Sequence, residues 1–260
     1  MSNEEDMTMK TFQKDLLTVK IFATRAEMGR DAGADFAVAV KELLSQKERI
    51  RVIFAAAPSQ NDFLEAIVAD ASIDFSRIDA FHMDEYVGLD RHAPQAFGQF
   101  LRDRIFDRRQ FHSVSFIDGE NPDTESTSAA YAALLNEAPI DIVCMGIGEN
   151  GHIAFNDPAF ARFDDDKDVK VVELDDTCRM QQVHDGCFDT FDAVPTHALT
   201  LTVPRLMRAS YHFCMVPAPT QAAAAKRMLT GDISEECPCT ILRRQPNAIL
   251  YLDKDSSALL

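Results

Sequence analysis

Arg51-Val-Ile-Phe-Ala-Ala-Ala57 is continuously apolar after its first residue, and Ser59-Gln-Asn-Asp62 follows at once with side chains that can cap a helix. A short unbroken apolar run is the pattern of a strand buried on both faces, and the capped segment beyond it reads as a helix to about residue 71. Upstream, residues 18–22 read as a short strand. Thr24-Arg-Ala-Glu27 has the form of a capping box and opens an amphipathic helix to about residue 46, with Phe36, Ala37, Val40, Leu43 and Leu44 at helical spacing. Downstream, strands over 78–82, 114–117 and 140–145 alternate with helices over 95–106 and 128–136. Further strands follow near 169–174, 198–203, 212–216 and 248–252, with a helix over 220–229. This alternation predicts an α/β fold: a single doubly wound, mainly parallel sheet with helices on both faces. Residues 1–12 read as a flexible N-terminus and 13–260 as one domain, because no linker, repeat or low-complexity tract divides them.

The 260 residues are 46% hydrophobic and 26% charged, an ordinary globular composition. Lys and Arg number 26 against 42 Asp and Glu, a formal net charge of −16. A general basic footprint for nucleic acid or anionic lipid is missing, although a small basic pocket for a phosphorylated metabolite is compatible with an acidic surface. Neither partner is expected. The opening Met1-Ser-Asn-Glu-Glu-Asp6 lacks the regions of a signal peptide, and no apolar run approaches a membrane span, so the expectation is a soluble, cytoplasmic chain. Six dispersed cysteines read as free thiols. Cys237-Pro-Cys239 is the only close pair, and no further Cys or His at ligand spacing follows it, so no metal is expected.

In such sheets ligands bind beyond the carboxyl ends of the strands. Four segments fall there: Ala57-Pro-Ser-Gln-Asn61, Met83-Asp-Glu-Tyr-Val-Gly88, residues 146–158, and Pro217-Ala-Pro-Thr-Gln221. Gly146-Ile-Gly-Glu-Asn-Gly151 matches the GxGxxG form, but Pro158 and the lack of helical period to residue 168 argue against a dinucleotide site. Gly148 and Gly151 then imply a backbone that turns sharply or lies close to a ligand. His152 follows, and imidazole suits proton transfer near neutral pH. A lone histidine is more often structural, yet Asn150, Asn156 and Asp157 surround this one on an irregular loop. Asp84 and Glu85 form an adjacent acidic pair, which is usually a solvated turn; at a sheet's carboxyl edge one acid can transfer protons while the other holds structure.

Phe81-His-Met-Asp-Glu-Tyr-Val-Gly-Leu89 and Gly146-Ile-Gly-Glu-Asn-Gly-His-Ile-Ala-Phe-Asn-Asp-Pro158 together resemble the glucosamine-6-phosphate deaminases (isomerases). Val194-Pro-Thr-His-Ala-Leu-Thr-Leu-Thr202 extends the likeness, which covers nearly the whole chain after residue 18. The related 6-phosphogluconolactonases share the glycine–histidine loop but continue it with serine. The resemblance implies conversion of an amino sugar phosphate to a ketose phosphate and ammonia without metal or cofactor. It gives His152 the part of ring-opening base, assisted by Asn150 and Asp157, and Asp84 that of the carboxylate moving a proton between C2 and C1. Substrate contacts are expected from Ser59, Gln60, Glu85, Gly148, Gly151, Arg179 and Gln221. It leaves a homo-oligomer open.

Departures from the family pattern keep alternatives open. Asn150 stands where many members carry an acid, Asp157 where a longer Glu is usual, and Ala57-Pro-Ser-Gln-Asn61 in place of a glycine- and threonine-rich phosphate loop. Gln221 replaces a lysine that pairs with the substrate phosphate; Arg179, Arg243 or Lys226 are candidates to supply that charge. A lactonase-like hydrolase and a sugar-phosphate sensor with weakened catalysis are the competing readings.

Overall fold

The computed structural model describes residues 8–260, and the chain enters it as an antiparallel hairpin of Thr8–Lys14 (β1) and Leu17–Phe22 (β2). The expectation of a flexible terminus is thus corrected over residues 8–12; its part over 1–7 lies outside the described residues. An antiparallel edge strand needs one apolar face only, so the mostly polar segment with Phe12 against the core suffices. Thr24 caps Arg25–Gln46 (α1) in a complete capping box with Glu27. Ile50–Phe54 (β3) is buried at every position, and the tight 3-10 turn Pro58–Gln60 leads into Asn61–Ala69 (α2).

Ile78–His82 (β4) is followed after one residue by Asp84–Tyr86 (β5). Phe97–Leu101 (α3) runs into a π-helical turn, Arg102–Phe106, and Ser113–Ser115 (β6), Thr124–Asn136 (α4) and Ile142–Met145 (β7) follow. Val169–Glu173 (β8), Asp176–His184 (α5), His197–Leu201 (β9) and Val203–Met207 (α6) precede Tyr211–Val216 (β10), Ala222–Thr230 (α7) and Ala248–Leu252 (β11).

The main sheet has the order β1-β2-β11-β10-β7-β3-β4-β6 and is parallel except for β1. Adjacent residues of a strand face different cores: Phe54, Cys144 and Phe213 join Phe36 on one side, while Ile53, Val143 and Cys214 join Met228 on the other. Both faces are therefore covered, as expected. From β3 the chain moves outward through β4 and β6, then crosses back to β7 and continues through β10 and β11. The direction of winding reverses between β3 and β7, and crevices at such reversals are where open α/β sheets bind ligands.

A second sheet, antiparallel and ordered β5-β9-β8, departs from the single sheet predicted. The strand patterns alone do not separate it; its antiparallel pairings to β9 do. In β8, Val169 and Val172 are buried in different core clusters, as expected for residues three apart on a strand, while Val171 is exposed. Among the described residues no helix is long and apolar enough to cross a membrane.

Candidate active site

The loops that leave β3, β7 and β10 at this reversal enclose a pocket of about 430 Å³, a volume ordinary for a small-molecule site. Asp84, His152, Ser59 and Gln221 line it together, and Arg25 and Arg104 join them. Ala154 and Ala218, also in the wall, hold φ of 49° and 81°. Left-handed backbone at residues with a Cβ is strained, and such strain persists where surrounding structure enforces it, commonly at active sites.

Asp84 reaches the pocket because it lies on β5, where successive side chains take opposite sides. Glu85 consequently turns away. Its carboxylate accepts the backbone N–H groups of Tyr86 at 3.0 Å, Phe97 at 3.1 Å and Gly98 at 2.8 Å, so it caps α3 and does not line the pocket, correcting its expected place on substrate. Burial, with the Glu85 charge alongside, pushes the Asp84 carboxyl well above the usual carboxylate range. Burial also raises Glu85, against the pull of its three N–H donors. Beneath them, fully buried His82 accepts from Ile117 N–H at 2.9 Å through Nε2, which leaves Nδ1–H to donate to the Asp84 carbonyl at 2.9 Å. Its pKa falls to about 4 through burial, so the ring is a neutral strut for Asp84.

His152 is presented by a turn in which Gly151 N–H donates to the Gly148 carbonyl and Gly148 N–H to the His152 carbonyl. A Cβ on Gly148 would lie 2.1 to 2.3 Å from three atoms of the imidazole, so the absence of a side chain there makes room for the ring. Gly151 has φ of 87° and packs on Cys237. Both glycines shape the loop and neither lines the pocket, which replaces the substrate contact expected of them.

His152 Nδ1 stands 3.0 Å from Oδ1 of fully buried Asp157. Burial opposes the Asp157 charge, yet the His152 ring and the Asn150 amide outweigh it and hold the carboxyl below its ordinary value. Asn150 spends its amide N–H on Asp157 at 2.9 Å and Asp175 at 3.2 Å, while its oxygen accepts His152 N–H at 3.0 Å. It positions the pair and lies outside the pocket wall. Cys178 completes a buried group whose donor atoms all fall within 4.8 Å of each other, the arrangement here that could receive a metal ion. Burial and the nearby carboxylates raise its thiol well above the usual range, which works against thiolate ligation.

The same strand secures both halves of the site. Thr200 of β9 lies opposite Asp84, its hydroxyl accepts Phe155 N–H at 3.0 Å, and Asn156 donates to the next carbonyl, Leu201, at 2.8 Å.

The family model for glucosamine-6-phosphate isomerases/6-phosphogluconolactonase matches residues 23–251. The chain belongs to this family. A glucosamine-6-phosphate deaminase of Leuconostoc citreum is 31% identical over 193 residues, 74% of this chain and 81% of that protein. One from Bacillus cereus strain G9842 is 29% identical over 245 residues, 94% and 88% of the two chains. Among solved structures, a monomeric glucosamine-6-phosphate deaminase superposes with a TM-score of 0.85 at 24% identity, covering 93% of this chain and 99% of its own. A 6-phosphogluconolactonase from Thermotoga maritima gives 0.75 at 16%, covering 92% and 100%. Those two likenesses show the shared fold.

Within this glucosamine-6-phosphate isomerase/6-phosphogluconolactonase scaffold the remaining sequence expectations separate. Gln60 is buried behind the wall, donating to Ser59 Oγ at 3.1 Å and the Met145 carbonyl at 3.1 Å, and so supports the turn instead of meeting a ligand. Arg179 is corrected too: it donates to the Phe191 and Val194 carbonyls, stacks on Phe191, and lies outside the wall. Arg243 is committed to Asp15 and to carbonyls at Met228 and Gly231, and Lys226 is exposed on α7. The pocket's arginines are instead Arg25 and Arg104, both on helices where a charge reads as a solvated face. Gln181, Gln182 and Asp185 also line it from the end of α5, a helix too polar to announce itself in the sequence. Gln181 further accepts Glu149 N–H at 2.9 Å and steadies the glycine loop.

Proposed function

We propose that this protein is an amino-sugar-phosphate deaminase that converts glucosamine 6-phosphate, or a close relative, and water to fructose 6-phosphate and ammonia. The observation that carries the reading is the convergence of Asp84 and His152 on one pocket, with His152 paired to Asp157. An imidazole held by a carboxylate can take the proton of the sugar's anomeric hydroxyl and return it to the ring oxygen, opening the ring. Asp84 then removes the proton from C2, giving an enolamine, and delivers a proton to C1. The resulting C2 imine adds water and expels ammonia, so the overall change consumes one water. A carboxyl raised by burial is suited to both taking and giving that proton.

Ammonia release from glucosamine 6-phosphate, with 6-phosphogluconolactone hydrolysis measured in parallel, tests the reading. Ammonia with fructose 6-phosphate is expected. Lactone hydrolysis without ammonia, or sugar phosphate binding without turnover, would replace it by the hydrolase or the sensor.

A further inference from the structure

We propose that Arg104 anchors the substrate's phosphate monoester and makes the pocket select a phosphorylated sugar, in place of the charge that Gln221 does not carry. This rests on the deaminase reading for the sugar and on the geometry of the wall for the anion.

Two arginines reach the pocket, and they differ in what else they hold. Arg25 is ion-paired with Asp62 and bonded to the Pro58 carbonyl, so its charge is already met. Arg104 gives Nε to the neutral Asn61 oxygen at 2.7 Å and makes only a long contact, 3.5 Å, from Nη1 to the Phe100 carbonyl. Among the described residues no carboxylate lies within 4.0 Å of its guanidinium, and Nη2 has no partner. The plane lies 3.7 Å over the Phe100 ring, which orients it. An arginine stays charged even where burial lowers its pKa, as it does here. A partly desolvated guanidinium in a concave wall, with Asp103 acting on it only at a distance and no carboxylate paired to it, is a receptor for an anion, and its fork matches the oxygens of a phosphate.

Its place agrees. Asn61, which it holds, is the first residue of α2 and lies two residues after Ser59, so the fork sits beside a turn that also offers a hydroxyl and a helix start to an anion. Gln221 is bonded through its oxygen to Thr220 at 2.8 Å, leaving its amide N–H groups to give a neutral hydrogen bond. The π-helical turn that carries Arg104 fits this role, since such turns recur at functional sites. On a chain with net charge −16, a dianionic ligand needs a local cation.

The test compares kcat/KM for glucosamine 6-phosphate with that for free glucosamine in the unmodified protein, Arg104→Gln and Asn61→Asp. The second variant keeps Arg104 and neutralises it with an adjacent carboxylate, so it stands if the first fails to fold. In each, the ratio of phosphorylated to free sugar should fall about 10- to 100-fold, chiefly through KM, as expected for losing a charge-assisted anchor bound alike in ground and transition states. An unchanged ratio in the folded variants, or a fall in kcat alone, overturns the proposal. Calorimetry with inorganic phosphate and with glucosamine 6-phosphate separates it from the deaminase reading. If no ammonia forms but both probes bind and lose affinity in the variants, the chemistry falls and the anchor stands. No binding by the unmodified protein, or equal binding by all three, overturns the anchor.

Discussion

Thr200 stands opposite Asp84 in the ladder that joins β5 to β9, and its hydroxyl receives the N–H of Phe155 at 3.0 Å. One residue thus couples the strand that bears the carboxyl, through its backbone pairing, to the loop that bears the imidazole, through its hydroxyl. The small antiparallel sheet is the frame that sets the two against each other.

Thr200→Val keeps the shape and removes the acceptor, leaving a buried N–H unpaired. Stability to urea should fall by about 1–3 kcal/mol, and turnover should fall with it because loop and strand lose their common tie. Unchanged turnover at lowered stability would assign the alignment to Asn156 and Leu201 alone.

Asp84→Asn should abolish solvent deuterium exchange at C2 and C1 while leaving sugar phosphate binding near that of the parent, since the amide preserves shape but not basicity. Nuclear magnetic resonance in deuterated water reads this directly. Undiminished exchange would move the proton-transfer role to another group.

Gly148→Ala would drive a methyl into the His152 imidazole, whose atoms occupy that space. The ring must move, and turnover should drop on the order of 10²-fold. His152→Gln should cost a similar factor, and the double variant should lose little more, because both act on one group. Additive losses would mean that Gly148 serves something besides the histidine.

Acid should destabilise the fold through His82. Its pKa is about 4 in the folded chain against 6.5 ordinarily, so both states are neutral above pH 6.5 and the contribution there is complete. As pH falls toward 4 the unfolded chain takes up a proton that the folded one refuses, and stability declines by on the order of 2–3 kcal/mol. Raised carboxyls such as Asp84 act with the opposite sign over the same range, so the difference between parent and His82→Gln is the useful quantity. Urea melts from pH 7 to 4.5 should show a shallower slope in the variant; identical slopes would place the effect elsewhere, for instance at His212, which burial also lowers to about 4.

Much of the architecture was legible because it rests on local signals. The capping box at Thr24, the apolar run after Arg51 and the strands Ile78–His82 and Ala248–Leu252 stand where periodicity places them. β5 was not, because Asp-Glu-Tyr has the composition of a turn and becomes a strand only through pairing with distant β9. α5 buries Gln181 and Gln182 against the pocket and so lacks the apolar stripe of an ordinary helix. The acid and the imidazole could be read from residue type and setting. Arg104 could not, since its significance lies in having no carboxylate paired to it within 4.0 Å among the described residues, and the lack of a partner in space leaves no mark along the chain.

The insertion of β11 between β2 and β10 has a consequence for biosynthesis. Ile249 pairs with Thr18 and His212 with Ala248, so β2 waits for residues made far later in the chain. During translation β2 and β10 each present an unfilled edge, and closing the gap requires contacts of very large sequence separation, the slow kind. Cys239 N–H, bonded to the Gly151 carbonyl, comes from the same late region. A nascent chain that has not yet released β11 therefore holds an incomplete site, and a chain cut short within β11 would expose two strand edges inside the main sheet and be prone to aggregate.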